Sequence, residues 1–183
     1  LKKAAQLHDK ALVSFSAGKD SLTVLDLAVR HFDHVEAFYL YFVPDLEFMN
    51  ERLNAAQKRW GVKIHMYPHA FFDNEIKWGT YSFELPSRDK LPELKVDDVL
   101  GMVVRETKIP LILTGMKKSD FLFRRLNLGR NVRAIEEIHP IESWSRFDVL
   151  AYCKARNIPL PDCTTALTNS IDLSPKNLLW LHD

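Results

Sequence analysis

Short apolar runs alternate along this chain with stretches whose apolar residues recur every three or four positions, the pattern of strands alternating with helices. Ala11-Leu12-Val13 predicts a first strand, and Leu22, Leu25, Ala28 and Val29 predict the helix after it. Val35 to Phe42 (VEAFYLYF) is β-rich and nearly continuous in apolar residues, as a strand buried on both faces would be. Leu46 to Trp60 predicts a helix, with Phe48, Ala55, Ala56 and Trp60 toward one side and Gly61 as its stop. Val62 to Tyr67 predicts a third strand with Val62, Ile64 and Met66 inward. Asp97 to Lys108 predicts a helix whose acidic start suits the helix dipole. Pro110 to Thr114 predicts a fourth strand, broken by Gly115. Ser145 to Asn157 predicts a last helix, with Ser145 as N-cap and Pro159 just past its end. There is no internal repeat and no low-complexity segment. This order predicts an α/β fold: a single doubly wound, mostly parallel sheet with helices on both faces. One domain over residues 1–183 is expected.

Ligands of such sheets sit at the carboxyl ends of the strands. Three segments fall there: the loop after Val13, the Val43 to Asp45 turn, and the loop after Gly115. The first, Ser14-Phe15-Ser16-Ala17-Gly18-Lys19-Asp20-Ser21, is a small-residue turn between a strand and a helix start. Such a turn aims backbone N–H groups and the positive end of a helix dipole at one point, where a phosphate or sulfate fits. Gly18 lets the backbone approach the anion, Lys19 adds a mobile charge, and Ser16 and Ser21 add hydroxyl donors. The common nucleotide P-loop is excluded, since Val13 stands where its first Gly belongs and Asp20 follows Lys19 where Ser or Thr belongs.

The loop after the fourth strand carries Thr114-Gly115-Met116-Lys117-Lys118-Ser119-Asp120, then Arg124, Arg125, Arg130 and Arg133. Cations this close to a strand end are candidates to clamp a phosphate or sulfate, Lys117, Arg124 and Arg125 foremost. The same cations are candidates to track a nucleic-acid backbone. The long irregular stretch from Phe71 to Leu94 adds Arg88 and Lys90, and its aromatics Phe71, Phe72, Trp78, Tyr81 and Phe83 either cover a substrate or pack on the core.

Composition narrows the setting. The hydrophobic fraction of 46% and charged fraction of 27% are ordinary for a globular domain. A net charge of +1 gives no global balance for binding polyanions. No apolar run approaches the roughly 20 residues of a membrane span, and no signal peptide or membrane partner is expected. The two cysteines, Cys153 and Cys163, are too few for a disulfide framework, so a reducing cytoplasm is expected. No C-x-x-C or H-E-x-x-H spacing occurs, and no zinc is expected. Cys153 falls within the last predicted helix and reads as core, and Cys163 has no local base or cation to lower its pKa.

The Ser16, Gly18, Asp20 and Ser21 positions resemble the S-G-G-x-D-S pyrophosphatase-type loop of the adenine nucleotide alpha hydrolase superfamily, with Ala17 in place of the usual Gly. Ala17 is strained there if the position needs a positive φ. The run Pro140-Ile141-Glu142-Ser143-Trp144-Ser145-Arg146-Phe147-Asp148-Val149, followed by Ile158-Pro159-Leu160-Pro161, is similar to the "P-I-x-x-W-x-x-x-D-V" and "I-P-x-x-P" segments of the phosphoadenosine phosphosulfate (PAPS) reductase family. The likeness covers roughly Leu12 to Leu160. Trp144 reads physically as a packing anchor and Asp148 as an early-helix charge.

The resemblance implies a Rossmann-like adenine-nucleotide-binding fold more firmly than a reaction. Reductases of the family carry a catalytic Cys in an "E-C-G-L-H"-like tail; here the end reads Asn177-Leu178-Leu179-Trp180-Leu181-His182-Asp183. Reductases also show Asp-Thr-Gly after the second strand, where this chain has Val43-Pro44-Asp45, and Asp45 is a shifted candidate for a ribose hydroxyl or a metal. The Gly18-Lys19-Asp20-Ser21 loop is more similar to the ATP-using members. The expectation is therefore an enzyme that cleaves ATP between the α and β phosphates to adenylylate an acceptor. In that reading Lys19 and Asp20 are catalytic, Asp20 holds Mg²⁺, and Ser14, Ser16, Ala17, Gly18, Lys19, Asp20, Ser21, Asp45, Gly115, Lys117, Arg124 and Arg125 bind the nucleotide. The alternatives are a PAPS or APS reductase served by thioredoxin or glutaredoxin, and a non-catalytic nucleotide-sensing or partner-binding subunit. The ligand is ATP, with Mg²⁺, or PAPS/APS; no iron–sulfur cluster is expected.

Overall fold

The computed structural model of the chain describes residues 1–70, 94–118 and 135–160. A short helix, α1 (Lys2–Ala5), precedes β1 (Lys10–Ser14), α2 (Lys19–Val29), β2 (His34–Tyr41), α3 (Glu47–Trp60) and β3 (Lys63–Pro68). Then come α4 (Val96–Thr107), β4 (Leu111–Leu113), β5 (Glu136–Ile138) and α5 (Arg146–Ala155). The five strands form one sheet in the order β3-β2-β1-β4-β5. Every pairing among the described residues is parallel, with Val13 of β1 opposite Ala37 on one side and Leu113 on the other.

This order explains the layers. The chain winds outward from β1 through β2 to β3, with α2 and α3 on one face. It then crosses back over β1 to β4, and a right-handed crossover in that reversed direction places its helix on the opposite face. Alternate strand residues report the two sides. Ala11 and Val13 of β1 pack with Leu111 and Leu113 of β4, Leu25 of α2, Leu53 of α3 and Val149 of α5. Leu12 and Ile112 point the other way, to Phe38, Tyr67 and the α4 residues Val99 and Val103. β1 is central, and Ala11, Leu12 and Val13 are completely buried. Leu12 and Val13 each contribute roughly 1.5–3 kcal/mol relative to exposure.

Most expected elements are present within a residue or two. Gly61 closes α3 in the left-handed region at φ 66°. Ser145 caps α5, its hydroxyl oxygen accepting from the Asp148 N–H, while the Asp148 carboxylate accepts from the Ser145 N–H and hydroxyl. Trp144 packs against Tyr152 with ring centroids 5.5 Å apart. Three differences are informative. The buried stripe of α3 is Met49, Leu53 and Ala56, and Ala55 is exposed, because the helix turns 100° per residue and neighbouring alanines cannot share a face. Met66 is 41% exposed on the edge strand β3, although Ile64 on the same face is buried. β5 has the sequence Glu-Glu-Ile, which carries no strand pattern, and exists through its pairing with β4.

Candidate functional site

The winding reverses between β1 and β4, so the loops that follow these two strands lie at the topological switch point, at the carboxyl edge of the sheet. Ser14 is the last residue of β1, half-buried opposite Phe38. Phe15 and Ala17 turn into the core, and Ser16 between them is exposed. Ala17 has φ 56°, so the conditional strain expected from its sequence position is present. Gly18 is the N-cap of α2 and brings no capping side chain. Lys19, Asp20 and Ser21 form the first turn. Ser21 is buried and ties the loop together: its hydroxyl donates to the Gly18 carbonyl at 3.0 Å and accepts from the Ser16 N–H at 3.2 Å.

The β4 loop meets this turn directly. A Cβ on Gly115 would stand 3.1 Å from Asp20 Cβ and 3.2 Å from the Asp20 carbonyl carbon, so any larger residue would press the two loops apart by a few tenths of an ångström. Two residues on, Lys117 is buried to 4% exposure, and its Nζ donates to Asp20 Oδ1 at 2.6 Å. Lys19 Nζ donates to the other oxygen, Oδ2, at 2.7 Å. One carboxylate thus sits between two ammonium groups brought from different loops.

The adjoining cation does something else. Lys118 is exposed and pairs with Glu142 at 2.7 Å, so consecutive lysines serve separate purposes. Asp45 lies exposed in the turn after β2 at φ 56°, and no hydrogen bond or ion pair between described residues joins it to the loop. Arg88, Lys90, Arg124, Arg125, Arg130, Arg133, Cys163 and the aromatics from Phe71 to Phe83 lie outside the described residues.

Groups that sequence reasoning passed over surround the same edge. His139, just after β5, has Nδ1 2.6 Å from Thr114 Oγ1, while its Nε2 is buried without a hydrogen-bond partner among the described residues. Burial holds this imidazole below its ordinary pKa, against the opposing pull of Glu142. At the ends of β2 and β3, Phe42 stacks on His69 with ring centroids 4.2 Å apart. Deeper in α2, buried Asp26 accepts hydrogen bonds from Trp60 Nε1 at 3.0 Å, Tyr152 OH at 2.8 Å and Arg156 Nε at 3.1 Å. Its signal was available: Asp26 follows Leu22 by four positions and so falls on the helix's apolar stripe. Burial pushes the Asp26 carboxyl upward, but the three hydrogen bonds and the Arg156 charge outweigh it and hold the group below the usual carboxylate range. Cys153 is fully buried 3.2 Å from Thr23 Oγ1, and burial pushes its thiol up.

Among the described residues no set of three or more His, Cys, Asp or Glu side chains converges as a metal cage. Asp20 offers a single carboxylate in the first turn of α2. That suits Mg²⁺ arriving with a phosphate ligand, because this ion takes one or two carboxylates and completes its shell with substrate oxygens and water. No helix among the described residues is long and apolar enough to cross a membrane.

Residues 10–165 match the model of the phosphoadenosine phosphosulfate reductase domain family. No curated protein matches the chain by sequence. Among solved structures, the PAPS reductase from Candida auris, in a phosphate complex, is 17% identical with a TM-score of 0.57, over 85% of this chain and 77% of that one. The U34-tRNA thiolase NcsA from Methanococcus maripaludis is 14% identical with a TM-score of 0.53, over 84% of this chain and 59% of that one. At these identities the likeness is one of fold. It corrects one expectation: the thiolase has this fold and carries a [4Fe-4S] cluster, so an iron–sulfur cluster is not excluded by the fold.

Proposed function

The chain belongs to the phosphoadenosine phosphosulfate reductase domain family, and from that premise we propose that it is an adenine-nucleotide-binding enzyme cleaving ATP between the α and β phosphates to adenylylate an acceptor. The observation that supports this most is the meeting of the α2 N-terminus, Lys19 and Lys117 at the point where the sheet reverses its winding. Backbone N–H groups of the loop and the dipole of α2 hold the phosphates. The Lys19 and Lys117 ammonium groups take up the negative charge that grows on the departing pyrophosphate, which lowers the barrier to its departure. Asp20 would hold the Mg²⁺ that accompanies the nucleotide, and the ion would supply further neutralisation of the leaving group. Ser16 is exposed at the mouth, and Ser21 keeps the loop in shape. Asp45, Arg124 and Arg125 remain proposed nucleotide contacts.

Reduction of a sulfonucleotide needs an accessible thiolate as its nucleophile. Cys153 is buried with its thiol pushed up, so that role falls to Cys163, with thioredoxin or glutaredoxin as the partner. A Cys163→Ser variant that still releases sulfite removes Cys163 from that role, and a wild type that releases none removes the reading. Tight nucleotide binding with no turnover against any acceptor would instead favour a sensing subunit.

The deciding experiment is a calorimetric titration of the wild type and Lys19→Ala with Mg-ATP and with adenosine 3′,5′-bisphosphate. Lys19→Ala is expected to weaken Mg-ATP binding by about tenfold or more at unchanged thermal stability. Unchanged binding would reject the loop as the phosphate site. A preference for the bisphosphate without metal would move the assignment to sulfonucleotide reduction.

A further inference from the structure

Lys19 and Lys117 are not waiting open for an anion; each already holds one. Asp20 Oδ2 accepts from Lys19 at 2.7 Å and Oδ1 accepts from Lys117 at 2.6 Å, so both carboxylate oxygens are engaged by cations at the α2 N-terminus. We propose that Asp20 is the specificity residue of this site: its carboxylate competes with incoming phosphate for both ammonium groups, so the loop admits a polyphosphate that carries its own divalent cation and resists the same polyphosphate without one. This inference rests on the reading of the loop as the phosphate site.

Three observations carry it. First, the Lys117 side chain is 5% exposed. A buried ammonium group cannot trade its anion for bulk water cheaply, so an incoming phosphate must replace the carboxylate rather than follow its release. Second, the carboxylate cannot retreat with its backbone. Gly115 of the β4 loop lies against Asp20, where even a Cβ would come within 3.1 Å of Asp20 Cβ. Displaced from the lysines, the carboxylate stays beside the phosphate, and two anions in a part-buried crevice repel. Third, Asp20 has the chemistry to change partners. Asp20 would hold a hard divalent cation that arrives with the phosphate, which would leave the Lys19 and Lys117 ammonium groups for the phosphate oxygens. A metal-free bisphosphate breaks the same two ion pairs and supplies nothing to the freed carboxylate.

The test uses the full chain and inorganic pyrophosphate as the probe, titrated calorimetrically with and without Mg²⁺ into the wild type, Asp20→Asn and Lys19→Ala. In the wild type Mg²⁺ is expected to tighten pyrophosphate binding about tenfold. Asp20→Asn is expected to bind metal-free pyrophosphate several-fold more tightly than the wild type and to lose most of the Mg²⁺ effect. Asp20→Ser, which also lacks the carboxylate, provides the same readout if the Asn variant does not fold. The proposal is overturned if the variant binds metal-free pyrophosphate no better than the wild type, or keeps the wild-type response to Mg²⁺. Lys19→Ala separates the two levels. If it binds pyrophosphate like the wild type in both forms, the loop is not the phosphate site and the functional reading falls. If it loses binding while Asp20→Asn behaves as wild type, only the selection by Asp20 falls.

Discussion

Helix α2 carries two aspartates less than two turns apart, and they live in opposite regimes. Asp20, at the first turn, is held by two lysine ammonium groups and retains 26% side-chain exposure at the carboxyl edge of the sheet. Asp26, in the second turn, is 4% exposed and is held by an indole N–H, a phenol and a guanidinium from α3, from α5 and from Arg156 just beyond it. Both carboxylates are satisfied. Only one of the two sets of partners suits exchange. Lysines on flexible stems accept any anion of suitable charge, whereas the Asp26 donors are built into the packing of three helices. The first arrangement suits the proposed site, and the second is a fastening for the helix that bears it.

The strongest way to break this contrast is Asp26→Ala. It leaves Trp60, Tyr152 and Arg156 without their common acceptor and is expected to cost about 3 kcal/mol in urea unfolding. Nucleotide affinity, measured where the variant is still folded, should stay near wild type; a loss of affinity at intact stability would place Asp26 in the site instead. Gly115→Ala presses on the other aspartate. Its methyl group would stand 3.1–3.4 Å from Asp20 and the Ser21 nitrogen, and it should cost about 1–3 kcal/mol while weakening phosphate binding. An unperturbed affinity would mean that the two loops need not touch for the site to form.

Acid titration sharpens the difference further. The folded-state pKa of Asp26 lies below its ordinary value of 3.8, so its contribution is fully present above that value and is lost as pH falls through the folded pKa. Asp26→Asn should therefore flatten the fall in stability at the acid end, and a curve parallel to wild type below pH 4 would remove Asp26 as its source. The smallest effect is expected at Ala17. Its φ of 56° strains any residue with a Cβ, and Ala17→Gly should gain about 0.5 kcal/mol, the left-handed penalty less the extra chain entropy of glycine. A loss of stability would show that the Ala17 methyl, 5% exposed in the core, contributes more by packing than its backbone costs.

What could be read without the structure was local. The Ser14–Ser21 loop, the Gly61 stop, the Ser145 cap and the strand–helix alternation each depend on residues within a few positions of one another, and their physics is complete over that distance. Tertiary structure decided everything that joins distant segments. It made a strand of Glu136–Ile138 by offering the open side of β4, against the segment's own weak preference. It brought Lys117 across to Asp20 and sent its neighbour Lys118 outward to Glu142, a choice between adjacent identical residues that no pattern distinguishes. It also left Ala55 and Met66 at the surface, because an apolar residue is buried only where another element comes to cover it. The sequence alone determined that a small-residue turn with Gly18 and Lys19 opens α2. Whether that loop's charges stand free or are already paired depends on contacts 97 positions apart, and only the folded sheet brings those together.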